Sequence, residues 1–338
     1  MEQAWHRMEP TRAEKWDENM SETQEQADVD IFDLDDIPAG HKSGFVALIG
    51  RPNVGKSTLM NTLLGQKVSI VSPKPQTTRN RILGILTRPA VQIIFVDTPG
   101  IHRPQHQLGQ FMVSTAQSAI PDADVILFMV DVSVPPTDED RQIAQLITQQ
   151  ASEIPVLLVL NKMDRLKPEQ VKPHSEAYWG LGETEAWYAG WMMTVATKGE
   201  NLDKLLDLLV EALPEGPRYY PGDQVTDQTE RQIAAELIRE QVLRFTHQEV
   251  PHSVAVSVEE FKPRSDRLTY IGANIFVERD SQKGIIIGKK GKMLRQIGAA
   301  ARAQIERLTG TQVYLELWVK VSENWRKDQQ SVRRLGYR

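Results

Sequence analysis

Short apolar runs recur along the middle of the chain. FVALIG starts at Phe45 and ends at Gly50; RILGIL, VQIIFVD, DVILFMVD, PVLLVLN and WMMTVAT repeat the theme. Runs this short, bounded by Gly, Pro, Asn or Asp, read as buried strands. Between them lie segments with apolar residues at helical spacing, among them DEDRQIAQLITQQ and NLDKLLDLLVEAL. Strands alternating with helices predict an α/β domain over residues 43–213, with a mostly parallel sheet and helices on both faces. The stretch PEGPRYYPGDQ is rich in Pro and Gly, so residues 214–226 are expected to be a linker. The pattern then changes. A helical segment over 227–248 is followed by SVAVSVEEF and RLTYIGANIFVER, which alternate as a strand pair would. Two helical pieces around GKKG and a last strand, QVYLELWVKV, complete the order α-β-β-α-α-β. That order predicts a small α+β domain over 227–338.

Charge divides the 338 residues differently. Residues 1–40 hold 3 Lys/Arg against 12 Asp/Glu, and residues 283–338 hold 13 Lys/Arg against 4 Asp/Glu. Residues 1–42 are therefore expected to be an acidic disordered tail, with no assigned role. The basic C-terminal end is the footprint of a nucleic-acid-binding module, although a solvated basic face carries the same charge. The chain has no Cys, which excludes disulfides, thiolate zinc sites and a cysteine nucleophile. No apolar run reaches the ~20 residues of a membrane helix. The acidic opening is unlike a secretory signal, so a cytoplasmic location is the default expectation.

GRPNVGKS, Gly50 to Ser57, fits G-x-x-x-x-G-K-[ST] and lies between a strand and the helical TLMNTLLG. In such a loop Gly50, Arg51, Pro52, Asn53, Val54 and Gly55 curl the backbone so that its N–H groups face phosphate oxygens. Lys56 reaches the β/γ phosphates, the Ser57 hydroxyl ligates Mg²⁺, and Thr58 opens the helix beside them. DTPG (Asp97, Thr98, Pro99, Gly100) follows a strand, where an Asp is placed to hold Mg²⁺ through water and the Gly100 N–H to meet a γ-phosphate. NKMD ends another strand. The Asp164 carboxylate can accept from guanine N1–H and N2–H₂, a pairing adenine cannot make, so this motif separates GTP from ATP. Asn161 would tie the loop to the P-loop, and the Lys162 stem would cover the base. In VATKGEN the Ala196 N–H is a candidate donor to guanine O6. SPKPQTTRNR has the composition of a mobile loop that a bound γ-phosphate could order. Thr78 is the chosen Thr to complete the Mg²⁺ shell, with Thr77 the alternative.

In the basic end, two glycines bracket two lysines at Gly288, Lys289, Lys290 and Gly291. The backbone can then approach a nucleic-acid backbone at a helix N-terminus, the mechanism of a KH GXXG loop. The element order puts this turn where the type II KH fold has it. Lys292 and Arg295 join the RNA-binding candidates. Trp318 is expected in the core or on a strand face, and His102 and His106 at the surface.

Together GRPNVGKS, QTTR, DTPG, NKMD and GKKG resemble the Era family, a GTPase domain followed by a KH domain. The resemblance covers about residues 44–338 and includes the closing WRKDQQSVRRLGY. It implies a GTP hydrolase that binds near the 3′ end of small-subunit 16S ribosomal RNA and acts in 30S assembly. It also implies a monomer with peripheral contact at the inner membrane face. Ile101 follows DTPG where many small GTPases carry a catalytic Gln, so another group must orient the water. The P-loop Asn, matched by Asn53, helps relatives bind K⁺ near the β/γ bridge, where a cation stabilises developing charge. Thr78 and Gly100 join Lys56 and Asn53 as catalytic candidates. Val195 departs from a position often held by Ser. Three functional readings stay open: a hydrolysis-driven RNA switch acting across the linker, an RNA chaperone whose hydrolysis is incidental, and a GTPase whose C-terminal domain binds protein or membrane.

Overall fold

A computed structural model describes residues 37–151, 153–182 and 187–337, and everything below lies in the unit Gly40–Arg338. The acidic segment over 1–36 is outside the described residues.

Among the described residues, six strands make one sheet: β1 (Lys42–Ile49), β2 (Ile82–Arg88), β3 (Val91–Asp97), β4 (Val125–Asp131), β5 (Val156–Asn161) and β6 (Tyr188–Thr194). Their order is β2-β3-β1-β4-β5-β6, with β2 antiparallel to β3 and the other pairs parallel. Alternation along β1 explains the two cores. Val46 and Leu48 face one side, with Leu59 and Met60 of α1 (Lys56–Leu64) and the leucines of α5 (Leu202–Ala212). Ala47 and Ile49 face the other, with Ile143, Ala144 and Ile147 of α3 (Asp138–Gln150). Helix α2 (Gln107–Ser118) and helix α4 (Pro168–Trp179) complete the layers. Both lie in stretches that the apolar pattern did not mark as elements.

The C-terminal elements are α6 (Glu230–Phe245), the short α7 (Val250–Ser253), β7 (Ala255–Ser265), β8 (Leu268–Val277), α8 (Asp280–Ile287), α9 (Lys292–Thr309), β9 (Gln312–Val321) and α10 (Gln329–Arg334). The strands form a second sheet, β7-β8-β9, with β7 antiparallel and β9 parallel to β8. Ile297, Ala301 and Ile305 recur every fourth residue of α9 and pack with α6 on the apolar face of this sheet. Thr229 sets the start of α6, because its hydroxyl accepts the Gln232 N–H in a capping box.

The expected linker does not hang free. Gln92, fully buried on β3, accepts from the Tyr219 and Tyr220 N–H groups at 2.7 and 3.0 Å. The Ile85 N–H donates to the Val225 carbonyl at 2.8 Å. The segment is strapped along β2 and over β3, since the edge backbone of β2 and the buried Gln92 side chain need partners.

Candidate nucleotide site and nucleic-acid interface

The P-loop lies where β1 ends and α1 begins, and close packing explains its glycines. A Cβ on Gly50 would sit 2.2 Å from the Met129 carbonyl oxygen, and one on Gly55, whose φ is 112°, 2.4 Å from the Asn161 amide. A Cβ on Gly100 would meet the Pro52 nitrogen at 2.5 Å, so DTPG and the P-loop touch backbone to backbone. These loops and residues 70–78 enclose a cavity of about 400 Å³. Pro52, Asn53, Gly55, Lys56, Ser57, Thr58, Gly100, Asn161, Lys162, Asp164 and Ala196 all line it, as do Thr77 and Thr78.

Lys56 is buried and folds onto the loop, donating to the Gly50 and Arg51 carbonyls at 2.9 and 3.1 Å. Burial lowers its pKa to about 8, with nearby Asp97 partly opposing the shift. Asn161 joins three loops. Its Nδ2 donates to the Val54 carbonyl at 2.8 Å, and its Oδ1 accepts from Thr194 Oγ1 at 3.2 Å and the Ala196 N–H at 3.0 Å. Lys162 reaches Asn53 O at 2.8 Å and pairs with Asp131 at 2.5 Å. Asp164 lies 3.2 Å from the Lys198 ammonium.

Several predicted side chains do other work. The Ala196 N–H is taken by Asn161, so in this geometry it is not the free donor for guanine O6. The Thr98 hydroxyl donates to the Leu48 carbonyl at 2.7 Å and braces β1. Arg51 turns away to Asp140 of α3 at 3.2 Å. Val54 is fully buried in the core. Gly50, Val54, Thr98 and Pro99 shape the loops without lining the cavity.

Ser57 Oγ donates to Asp97 Oδ2 at 2.6 Å and lies 2.9 Å from Thr78 Oγ1; Ser69 Oγ also donates to Oδ2, at 2.9 Å. Asp97 Oδ1 is buried without a partner, and burial raises the carboxyl pKa. The Ser57 and Thr78 hydroxyls and a carboxylate with one unpartnered oxygen form a set of hard oxygen donors that fits Mg²⁺. Thr77 instead turns its hydroxyl to the Lys74 carbonyl at 2.7 Å, so of the two candidates Thr78 is the one whose hydroxyl meets Ser57. Asn53 donates to the Pro73 carbonyl at 3.1 Å and thereby touches the loop of residues 70–79.

That loop also grips the C-terminal half. Ile70 is buried in the core built by α6 and the second sheet. The Val71 N–H donates to Glu240 at 3.0 Å, Lys67 pairs with the same carboxylate at 2.5 Å, and Arg239 donates to the Thr77 carbonyl. Arg79 is fully enclosed. It donates to the Val254 carbonyl at 2.6 Å and to the Tyr337 hydroxyl at 3.1 Å. Leu108 and Met112 of α2 pack with Trp325, Val332 and Tyr337. The expected route through the linker is thus joined by direct contact. Arg79, Arg239 and Glu240 were not among the predicted site residues; Arg79 closes the QTTR motif, and Arg239 and Glu240 lie side by side in a helix rich in other charged residues, where nothing marks them out.

In the basic module, Gly288, Lys290 and Gly291 have φ of 68°, 54° and 72°, and a Cβ on Gly288 would meet Met293 Cβ at 2.6 Å. Lys289, Lys290, Lys292 and Arg295 line an open groove of about 660 Å³ with Gln296 and Ala299. Arg295 Nη2 also donates to the Lys290 carbonyl at 2.7 Å, so it braces the turn. Trp318 stands on the outer strand face, 45% exposed.

A family model described as "50S ribosome-binding GTPase" matches residues 45–162, and a KH domain model matches 249–326. The GTPase Era of Rippkaea orientalis is 52% identical over 300 residues, covering 89% of this chain and 94% of its own. The chain belongs to the Era family of GTPases. The Era of Heliobacterium modesticaldum is 49% identical over 88% of this chain and 97% of its own. A crystal structure of Era with MgGDPNP and nucleotides 1506–1542 of 16S ribosomal RNA superimposes with a TM-score of 0.84 at 44% identity, covering 88% of this chain and 99% of that one. Like other Era proteins, this chain is a GTP hydrolase with a P-loop GTPase domain and a C-terminal KH domain.

Proposed function

We propose that this Era protein binds the 3′ end of 16S ribosomal RNA through its KH groove while GTP is bound, and lets go after hydrolysis, as a cytoplasmic monomer acting in 30S assembly. The observation that carries the switch is the buried contact of residues 67–79 with α6 and the C-terminal turn. A loop that completes the Mg²⁺ site through Thr78 is the same loop that seats Arg79 in the RNA-binding half. The rRNA-bound relative supports the choice of RNA.

Asp164 and Lys162 hold guanine, Lys56 turns from the Gly50 and Arg51 carbonyls to the β/γ phosphates, and the Gly100 N–H meets the γ-phosphate. Ser57, Thr78 and Asp97 would hold Mg²⁺, which supplies charge neutralisation between the β and γ phosphates. The Ile101 side chain offers no polar atom to the attacking water, so backbone groups of the two loops orient it. Asn53 would help hold K⁺, which would supply positive charge where charge develops in the transition state, and hydrolysis is expected to be faster in K⁺ than in Na⁺. The inner-membrane contact implied by the family is assigned as peripheral; among the described residues no helix is long and apolar enough to cross a membrane. Crosslinking to total cellular RNA with sequencing tests the reading. Enrichment of the 16S 3′ end with GTP over GDP is expected, and equal recovery with both nucleotides counts against it.

A further inference from the structure

The GTPase motifs all precede residue 200, yet the loop that brings Thr78 to Ser57 is fastened from outside that half. The Thr77 carbonyl belongs to the same peptide plane as the Thr78 N–H, so whatever holds that carbonyl sets the direction of Thr78. The holder is Arg239 of α6, whose guanidinium is fully buried. Glu236, one helical turn earlier, takes Nε through Oε1 at 2.9 Å and, through Oε2, the same Nη2 that meets the Thr77 carbonyl. The neighbouring Glu240 takes the Val71 N–H at 3.0 Å and Lys67 at 2.5 Å, fixing the near end of the loop.

We infer that Arg239 is a positioning residue for GTP hydrolysis: the RNA-binding half reaches into the GTPase half and holds the Thr77–Thr78 peptide so that the Thr78 hydroxyl completes the Mg²⁺ site. This rests on the GTPase reading above. The guanidinium touches neither nucleotide nor metal; it acts through the peptide. Its fixed fork suits a carbonyl and a carboxylate together, which a Lys ammonium matches only in part. Release of α6 from the loop would then slow hydrolysis while leaving the guanine and diphosphate contacts in place, since those come from the P-loop and NKMD.

The test uses the full chain carrying Arg239→Met, Arg239→Lys or Glu236→Gln. GTP hydrolysis is measured against Mg²⁺ concentration, with GDP affinity measured separately. Glu236→Gln keeps the volume of the site and loosens the guanidinium, so it reads the same contact where Arg239→Met fails to fold. Arg239→Met is expected to lower kcat by roughly tenfold or more, as a misplaced catalytic ligand does, and to raise the Mg²⁺ concentration needed for half-maximal rate. GDP affinity should stay within about twofold of wild type, less than the tenfold that 1.4 kcal/mol represents. Arg239→Lys should recover part of the rate, and Glu236→Gln should fall between. Unchanged kcat and Mg²⁺ dependence in folded Arg239→Met or in Glu236→Gln overturns the inference. So does a parallel loss of GDP affinity and hydrolysis, which marks general collapse of the site. A wild-type protein that does not hydrolyse GTP removes the GTPase reading itself, and this inference with it.

Discussion

The Arg79 guanidinium donates to the Tyr337 hydroxyl at 3.1 Å, joining the residue after Thr78 to the end of the described chain. The cation also lies 5.8 and 5.7 Å from the ring centroids of Trp325 and Tyr337, which stack on each other. Burial pulls the Arg79 pKa down, while the carbonyls of Pro251, His252 and Val254 accept from its two terminal nitrogens and its Nε stays buried without a partner. A buried cation costs most when only its partners are removed. Tyr337→Phe is expected to lose about 1 kcal/mol of stability, the worth of one hydrogen bond. Arg79→Met leaves three carbonyls and the Tyr337 hydroxyl without its donors and should lose about 3 kcal/mol. Urea titration of each variant checks the order, and equal losses contradict it.

Guanine selection is assigned to the Asp164 carboxylate, which lines the cavity beside Lys198. Asp164→Asn replaces one acceptor by a donor. GTP affinity should fall by roughly a hundredfold, equivalent to about 3 kcal/mol for unpaired buried groups. Affinity for xanthosine triphosphate should rise, because its C2 carbonyl can accept the new amide N–H. Competition titrations with the two nucleotides measure both changes, and an unaltered GTP affinity refutes the assignment.

Most of the architecture was legible because periodicity and turn residues agreed. All six strands of the first sheet lie on the apolar runs, and GKKG lies between α8 and α9. Helix α2 escaped because His106 caps it, its imidazole accepting the Gly109 N–H at 3.1 Å, a role with no common sequence signature. Helix α4 carries Pro173 within it, a residue that argues against a helix on propensity alone. The cavity could be assembled from motifs, since each follows a strand end. The long-range contacts could not. Nothing local in Arg79 or Arg239 shows that their partners lie more than a hundred and fifty residues away. The hydrogen bond of the Ala196 N–H was hidden for a related reason: its acceptor, Asn161 Oδ1, comes from a different loop.

Lys56 makes nucleotide affinity depend on pH. Its pKa in the free folded protein is about 8, below the 10.5 of an exposed lysine, because burial disfavours the cation. The free protein therefore gains stability from this group as pH rises from about 8 towards 10.5, where the unfolded chain still binds the proton. Bound phosphates favour the ammonium and raise its pKa, so binding takes up a proton. GDP affinity should hold below about pH 8 and fall by up to roughly tenfold per unit above it. Calorimetric titrations in buffers of differing ionisation enthalpy measure the uptake, and affinity that rises above this pH contradicts the assignment.

In the KH groove, Lys289 and Lys290 are exposed and free to meet phosphates, whereas Arg295 is occupied with the turn. Lys289→Ala or Lys290→Ala should weaken RNA binding and reduce the salt slope by about one unit, one counterion per phosphate contact. Arg295→Ala should act by loosening the turn, weakening binding with a smaller change in slope. Filter binding across a salt series separates the two. Slopes unchanged for both lysine variants exclude direct phosphate contact.

The most direct measurement is the affinity of the wild-type protein for an oligoribonucleotide matching the 16S 3′ end, taken with Mg²⁺ and either GDP or a non-hydrolysable GTP analogue. Tighter binding with the GTP analogue is predicted, with the difference abolished by Lys56→Ala. Equal affinity in both states, or the same tightening with an ATP analogue, contradicts a guanine-nucleotide switch acting on the RNA-binding half.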